Sequence, residues 1–282
     1  MFENFCNLMI TIARSKRSGR NDFFLDGNVY AFDSSTLSLC LNTFWWSRLH
    51  HDKGGVKLHT LLDVRTDVPA FNIITNANIH DSKVMYLIPY EANSYYVFDR
   101  AYMDTKQLYH IHERKSYFVV REKRKMKYSI VESREQGNPQ TGIMADQRVL
   151  FEGNNPKKQY PEAIRRIVFY DKKGNRIFVF YSNNTLVKSE DIALLYKYRW
   201  RVELFYKWLK QHLRIKEFYG TSENAVKIQI YSAIITYCLV ATVKYDLHLD
   251  MDTYDVLRIL TVSLLDRTEL KELLGQEKEK ED

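Results

Sequence analysis

The stretch GVKLHTLLDVRTDVPAFNIITNA, residues 55–77, decides the fold class of this chain. Its first part, 55–65, alternates apolar and polar residues as a half-buried strand does, and its second part, 68–77, repeats that alternation. Asp67 and Pro69 are turn-forming residues between the two parts. The stretch therefore predicts two neighbouring strands of a sheet that are joined by a turn.

Segments on either side of this stretch complete the order of elements. Upstream, NVYAFD at 28–33 has a strand pattern, so a meander of three strands is predicted. Downstream, the predicted elements are a helix that Asp81 caps and that runs through Ile88, a strand SYYVFD at 94–99, a helix that opens at Asp104 and runs to about Arg114, and a strand SYFVVRE at 116–122.

This order predicts an α/β fold, a mixed sheet flanked by helices on the ribonuclease H-like plan. Asp33 falls at the end of the first predicted strand and Asp99 at the end of the fourth. In that plan the two strands are neighbours in the sheet. We therefore expect the two carboxylates to converge.

The helical period disappears over residues 122–185, where short apolar runs lie between turns such as GNPQ and DKKGN. This segment is interpreted as an inserted all-β subdomain. The predicted domains are an N-terminal helical remnant at 1–27, a ribonuclease H-like core at 28–121 and 186–250, the insertion at 122–185, and a C-terminal helix with a charged tail at 251–282.

Charge is concentrated in and around the insertion. Between Arg114 and Thr185 there are sixteen Lys or Arg and seven Asp or Glu, an excess of nine, although the net charge of the whole chain is +7. Clustered cations favour a polyanion partner such as nucleic acid, because neutralising phosphates releases counterions. The alternative is an ordinary solvated surface.

Composition excludes several other classes of protein. With 282 residues and 45% hydrophobic content the chain can bury a full core. Its three Cys are scattered and form no CxxC pair, which argues against a disulfide framework and favours a reducing compartment. The longest apolar segment, 228–243, is too short and too polar for a membrane span and is predicted to be a buried helix.

A second stretch, YKYRWRVELFYKWLK at 196–210, surrounds one carboxylate with cations and aromatic rings. On one continuous helix, about 100° per residue places Tyr196, Arg199, Glu203 and Lys210 within about 60° of arc. Such a face can hold a phosphate backbone while the acid completes a metal site. The alternative is an amphipathic helix with ordinary ion pairs, for example between Glu203 and Lys207.

The spacing Tyr-x2-Arg-x3-Glu-x6-Lys resembles the signature of the insertion sequence 4 family of bacterial DDE transposases. AFDSSTLSLCL around Asp33, KGGVKLHTLLD at 53–63 and FDRAYMD around Asp99 resemble other blocks of that family. The likeness extends from about Val29 to Tyr245 and includes the three acids in the same order.

The resemblance implies a catalytic triad of Asp33, Asp99 and Glu203 that binds Mg²⁺, with Mn²⁺ as a substitute. In a two-metal site one ion activates the attacking oxygen and the other stabilises the leaving oxygen, so one site can cleave DNA and then transfer the strand. The residues expected to bind DNA are Tyr196, Arg199, Lys210, Lys207 and Lys57. Arg100 and Tyr102 are candidates to orient Asp99.

The resemblance also implies an all-β insertion at this place in the chain and a reaction that proceeds through hairpin DNA ends. A flipped base needs an aromatic platform, yet the four Trp, at 45, 46, 200 and 208, lie outside the insertion. Tyr128, Phe151 and Tyr160 are the substitutes that the insertion offers.

The function predicted from these resemblances is cut-and-paste DNA transposition. The expected partners are terminal inverted repeats, target DNA and a second copy of the chain on the paired ends. The expected location is the cytoplasm, at the nucleoid, without membrane association. Two alternatives remain, namely a nuclease without strand transfer and an inactive DNA-binding remnant. Because only about 28 residues precede the strand that bears Asp33, the sequence is also interpreted as an N-terminally truncated copy.

Overall fold

The computed structural model describes residues 1–16, 25–50, 53–123, 126–138, 140–215, 217–263, 265 and 267–275. The chain divides into two compact units. The larger unit is Asn21–Phe205, and the smaller unit combines Met1–Arg20 with Tyr206–Asp282.

The larger unit is built on one mixed sheet, which has ten strands in the described part of the chain. The strands are β1 (Val29–Leu39), β2 (Arg48–His50), β3 (Lys53–Asp63), β4 (Val68–Asn76), β5 (Tyr95–Phe98), β6 (Tyr117–Arg121), β7 (Tyr128–Asn138), β8 (Ile143–Phe151), β9 (Ile164–Asp171) and β10 (Arg176–Ser182). Their order is β2-β3-β1-β5-β6-β10-β9-β8-β7, and β4 pairs with β3.

The directions of the strands confirm the predicted ribonuclease H-like plan. β1, β3 and β4 form an antiparallel meander, whereas β5 runs parallel to β1 and β6 runs parallel to β5. The first and fourth predicted strands are therefore neighbours, as expected.

β1 is longer than predicted, and Asp33 does not lie at its end. The strand continues for six residues beyond Asp33, and its register with β3 runs on to Leu39 opposite Gly54. The run Ser-Ser-Thr after Asp33 has the composition of a turn, but Leu37 and Leu39 are buried and keep the segment in the sheet. The tertiary burial of these leucines outweighs the weak strand preference of the serines.

Four helices of the larger unit are α2 (Asp81–Val84), α3 (Thr105–Glu113), α4 (Asn154–Gln159) and α5 (Ser189–Tyr198), and α6 (Trp200–His212) begins in this unit. Asp104 caps α3 as predicted, since its carboxylate accepts from the amides of Lys106 and Gln107. The predicted cap at Asp81 is wrong. His80 caps α2 by accepting from the amide of Ser82, and α2 passes after one turn into a 3-10 turn at Met85–Leu87.

The β-rich insertion extends the core sheet. β7 to β10 are antiparallel, and β10 pairs with β6 with Phe180 opposite Arg121. The short helix α4 lies between β8 and β9. The predicted strands are present, and the boundaries that separate insertion from core stay a prediction.

One buried ion pair ties the insertion to α5. Arg165 on β9 and Asp146 on β8 each expose only 4% of their side chains. Asp146 accepts from Nε and Nη2 of Arg165 and from the hydroxyl of Ser189, the first residue of α5. Arg165 also donates to the backbone carbonyl of Asn184. Neither charge reaches solvent, so each depends on the other.

The smaller unit is helical, with α1 (Phe2–Lys16), α7 (Glu223–Asp246), α8 (Thr253–Val262) and α9 (Leu270–Gly275). α7 contains the predicted buried segment. By length and composition alone α7 is apolar enough to cross a membrane, but 56% of its apolar window is buried inside the protein. Such burial is typical of a core helix, and its buried side chains include Ile230, Ile234 and Cys238.

We expect Asp146→Asn to lower the free energy of unfolding by about 3–5 kcal/mol, because the variant leaves the Arg165 charge buried without a counter-charge. Glu132→Gln is the matched control. Glu132 pairs with Arg148 across β7 and β8, but its side chain is 52% exposed, so the cost should stay below about 1 kcal/mol. Urea unfolding of both variants measures the difference. Equal losses would contradict a structural role for the buried pair.

Candidate active site

Asp33 lies on the central strand β1, with β3 on one side and β5 on the other. Its Oδ1 atom accepts from the backbone amide of Ser34 at 2.8 Å and from the hydroxyl of Tyr102 at 3.4 Å. Its side chain is 21% exposed. Backbone and hydroxyl donors therefore fix the orientation of this carboxylate and direct Oδ2 away from them.

Asp99 follows β5 directly and precedes a 3-10 turn at Arg100–Tyr102. Phe32 pairs with Phe98 in the parallel register of β1 and β5, so Asp33 and Asp99 occupy matching positions on neighbouring strands. The hydroxyl of Tyr196, near the end of α5, donates to Asp99 Oδ1 at 2.9 Å. Tyr102 is a candidate to orient Asp99: its amide donates to the backbone carbonyl of Asp99 at 3.0 Å, whereas its hydroxyl donates to the carboxylate of Asp33.

Arg199 connects Asp33 to Glu203. Its Nη1 atom lies 2.9 Å from Asp33 Oδ2, and its Nη2 atom lies 2.5 Å from Glu203 Oε1. The guanidinium carbon is 5.9 Å from the centre of the Tyr196 ring. Two residues of the predicted signature, Tyr196 and Arg199, thus contact the three predicted acids.

The prediction of one continuous helix over 196–210 is wrong. α5 ends at Tyr198 and α6 begins at Trp200, with Arg199 between them. The amide of Arg199 donates to the carbonyl of Tyr196 rather than to that of Leu195, which tightens the turn at this point. Tyr196 and Glu203 therefore belong to different helices, and Arg199, between these helices, contacts Asp33 and Glu203.

The charges of the site act on one another. Burial raises the pKa of Asp33 to about 6, the Ser34 amide and Arg199 oppose the rise, and the nearby charges of Glu203 and Asp99 add to it. Burial, and then the charge of Asp99, raises the pKa of Tyr196 to about 12. Tyr196 therefore remains a hydrogen-bond donor to Asp99 at neutral pH.

The donor chemistry fits a hard divalent cation, because all three candidate ligands are carboxylates, two of which contact one guanidinium. The arrangement differs from a ready-made metal site. Within the described ranges, no group of three or more His, Cys, Asp or Glu side chains is placed to hold a metal ion. The cation between Asp33 and Glu203 is Arg199.

A cavity of about 670 Å³ adjoins Tyr196 and Arg199 between α5 and the β9–β10 hairpin. Phe178 lies on its wall, 5.9 Å from the parallel ring of Phe180. The guanidinium carbons of Arg121 and Arg176 lie 4.9 and 5.3 Å from the centre of the Phe178 ring. The cations that line the cavity are Arg121, Lys172, Lys173, Arg176, Lys197 and Arg199.

Sequence reasoning missed this cavity. Trp200 also lines it and is 56% exposed. The signal that points to the cavity is the alternation of RIFVFYS at 176–182, which places Phe178 and Phe180 on one face of β10. Of the proposed substitutes, Phe151 and Tyr160 are buried in the core, and Tyr128 lies under the guanidinium of Arg166.

The predicted lysines have different surroundings. The ammonium of Lys57 donates to Asp81 at 3.0 Å and to the carbonyl of Ile79 at 2.9 Å, so a phosphate has to compete for it. Lys207 and Lys210 lie in the smaller unit, where Lys207 is exposed and Lys210 is half-buried. Their role in DNA binding stays a prediction.

Comparison with known proteins identifies the family to which this chain belongs. Residues 25–239 match the family described as Transposase DDE domain. This match covers most of the chain and includes Asp33, Asp99 and Glu203. The chain therefore belongs to the DDE transposase family.

Curated relatives agree with this assignment. The chain is 32% identical over 198 residues to a putative transposase, y4zB, of Sinorhizobium fredii, a match that covers 69% of this chain and 55% of the relative. It is 29% identical over 234 residues to a probable transposase for insertion sequence element IS5377 of Geobacillus stearothermophilus, covering 82% of this chain and 61% of the relative. The chain thus spans little more than half the length of these two relatives.

A third relative is a putative transposase for insertion sequence element IS4SA of Synechocystis, which is 26% identical over 249 residues and matches 85% of this chain and 67% of its own length. Among solved structures, the piggyBac transposase synaptic complex with hairpin DNA is similar, with a TM-score of 0.47 and 10% identity, over 89% of this chain and 56% of that one.

Proposed function

We propose that this chain supplies the catalytic region of an insertion-sequence transposase of the insertion sequence 4 family, which cleaves DNA at the ends of its element and joins them to target DNA. The observation that carries the proposal is a set of three contacts: Tyr196 donates to Asp99, and Arg199 donates to both Asp33 and Glu203. These residues come from three distant parts of the sequence and meet at the carboxyl end of β5.

Asp33, Asp99 and Glu203 would hold a divalent cation, for which Mg²⁺ and Mn²⁺ have the matching preference for oxygen ligands. When bound, such an ion supplies Lewis-acid stabilisation of charge on the oxygens of the scissile phosphate. The protein's own contribution is position. Ser34 and Tyr102 orient the Asp33 carboxylate, and Tyr196 orients that of Asp99.

Several cations suit a phosphate backbone. Arg199, beside the triad, offers a planar pair of donors that matches two phosphate oxygens, whereas Lys207 and Lys210, in the smaller unit, offer point charges. Such contacts hold DNA in place without reading its sequence. The substrate class that fits this surface is DNA whose scissile phosphate lies over the three acids.

The aromatic cavity suits an unpaired base at the cleaved end. A half-buried Phe178 ring, with the guanidinium carbons of Arg121 and Arg176 at 4.9 and 5.3 Å from its centre, offers an aromatic surface for stacking, and the surrounding cations attract the neighbouring phosphates. This supports a reaction that passes through a distorted or hairpin DNA end. The partners we expect are terminal repeats, target DNA and a second copy of the chain, in the cytoplasm at the nucleoid.

We expect Glu203→Gln and Asp33→Asn each to lower cleavage of a supercoiled plasmid, carrying the ends of the element, by about a hundredfold or more in Mg²⁺, because charge stabilisation at the reacting phosphate is lost. DNA affinity should stay equal or rise, since a negative charge near phosphate is removed.

Asp67→Asn is the control for this loss. Asp67 has a φ of +56°, which Asn tolerates, and its carboxylate pairs with Arg201 rather than with the triad. It should cleave as the unmodified chain does. If Glu203→Gln cleaves at a rate comparable to that of the unmodified chain, the triad assignment is wrong. If the unmodified chain cuts DNA but never joins it to a target, the protein is a nuclease without strand transfer.

We expect Phe178→Ala to weaken binding of a duplex with one unpaired terminal base by about tenfold, within the roughly 1–3 kcal/mol of a base–aromatic stack, and to leave binding of the fully paired duplex unchanged. Ile177→Ala is the matched control, because this neighbouring side chain is 55% exposed and does not line the cavity. Fluorescence anisotropy measures both. An equal loss for both duplexes would rule out base stacking.

Lys210→Ala should reduce the slope of log affinity against log salt by about one unit, because one phosphate contact is lost. The control is Lys227→Ala, in which the lost ammonium pairs with Glu223 on the surface of α7. Titrations over a series of KCl concentrations give the slopes. If Lys210→Ala and the unmodified chain have the same slope, Lys210 does not contact phosphate.

A further inference from the structure

We propose that Arg199 is a built-in counter-cation of the active site, which competes with the metal ion for Asp33 and Glu203 and is withdrawn when it binds a DNA phosphate. The proposal rests on the proposed function, since it concerns the loading of the same site. It assigns to Arg199 a role in metal loading in addition to phosphate binding.

The first argument is the identity of the shared atoms. Arg199 binds Asp33 through Oδ2 at 2.9 Å and Glu203 through Oε1 at 2.5 Å. The other oxygen of Asp33 already accepts from the Ser34 amide and the Tyr102 hydroxyl. Oδ2 is therefore the oxygen of Asp33 that faces Arg199, and a metal ion that uses it competes with Arg199 for the same negative charge.

The second argument is charge. The Arg199 side chain is only 14% exposed, and it lies between two carboxylates that are 21% and 32% exposed. Without a cation, these partly buried like charges repel each other and Asp99. Arg199 supplies one positive charge at the position where a divalent ion would supply two. The protein can therefore keep its acids together while no metal is bound, at the cost of a weaker affinity for metal.

The third argument is that Arg199 has a second class of partner close by. It lines the cavity together with Arg121 and Lys197, where the cations outnumber the acidic residues Asp171 and Glu190. A phosphate there offers two oxygens to the planar guanidinium, which is the geometry that Arg binds best. Phosphate and the two carboxylates thus compete for the same donors.

Coupling between metal and DNA follows from this competition. A phosphate that takes Arg199 frees Asp33 and Glu203 for the metal ion, and a metal ion that takes the carboxylates frees Arg199 for the phosphate. Linkage requires each ligand to raise the affinity for the other by the same factor. The site would load metal fully only when DNA is present.

The test measures Mn²⁺ binding to the full chain without DNA, from the electron paramagnetic resonance signal of free Mn²⁺. We expect Arg199→Gln to bind Mn²⁺ about tenfold more tightly than the unmodified chain, within the roughly 5–150-fold range of such couplings. A residue that only supports the fold would weaken metal binding when removed. Unchanged or weaker binding by Arg199→Gln therefore overturns the proposal.

Arg201→Gln is the matched control. Arg201 stands two residues further on, in the first turn of α6, and binds Asp67 and the carbonyl of Val64 instead of the triad. Its loss should leave Mn²⁺ affinity unchanged. A tighter affinity in this control would mean that any lost positive charge produces the effect, which also overturns the specific role of Arg199.

Two further variants complete the design. Arg199→Lys keeps the charge but lacks the planar fork, so it should tighten Mn²⁺ binding less than Arg199→Gln does. If Arg199→Gln does not fold, Arg199→Lys provides the test. In that case, Mn²⁺ binding by Arg199→Lys that is no tighter than in the unmodified chain counts against the proposal. Asp33→Asn should abolish the Mn²⁺ site. If it does not, the metal site of the proposed function is wrong, whereas a failure confined to the Arg199 variants overturns the counter-cation alone.

Discussion

The arrangement of the candidate active site depends on one guanidinium group. Arg199 holds Asp33 of β1 and Glu203 of α6 within hydrogen-bonding distance of itself, and Tyr196 holds Asp99 from the preceding helix. Carboxylates so close together and partly withdrawn from water are unfavourable unless a cation compensates them. The tight turn between α5 and α6 brings that cation to the acids, and it explains why the signature is not presented on one continuous helix.

The sheet supplies the other constraint. β1 and β5 are parallel neighbours, so residues that follow Phe32 and Phe98 lie side by side. The insertion continues the same sheet through β10, and the buried pair of Arg165 and Asp146 ties it to the start of α5. Through this connection the insertion and the helix that carries Tyr196 form the walls of one cavity, and the proposed stacking face stands beside the acids.

The sequence was sufficient for the element order, the adjacency of β1 and β5, and the DDE transposase family. These features rest on strand alternation and on residue types whose chemistry is specific, such as Asp33 and Asp99. Sequence reasoning failed where tertiary contacts decide the outcome. Burial of Leu37 and Leu39 extends β1 through a serine-rich run, and the turn at Arg199 breaks a strongly helical pattern. Local propensity and periodicity do not predict these contacts. They also do not predict that the Tyr102 hydroxyl donates to Asp33.

The central claim is that Asp33, Asp99 and Glu203 form the metal site that acts on DNA, and that Arg199 moves from these acids to a phosphate when the site is loaded. Anomalous diffraction from crystals of the chain grown with Mn²⁺ and a DNA end tests it most directly. The account predicts a Mn²⁺ peak bound by carboxylates of all three acids, with Arg199 on a phosphate oxygen. A Mn²⁺ peak away from these acids, or a bound ion with Arg199 still joining Asp33 to Glu203, would contradict it.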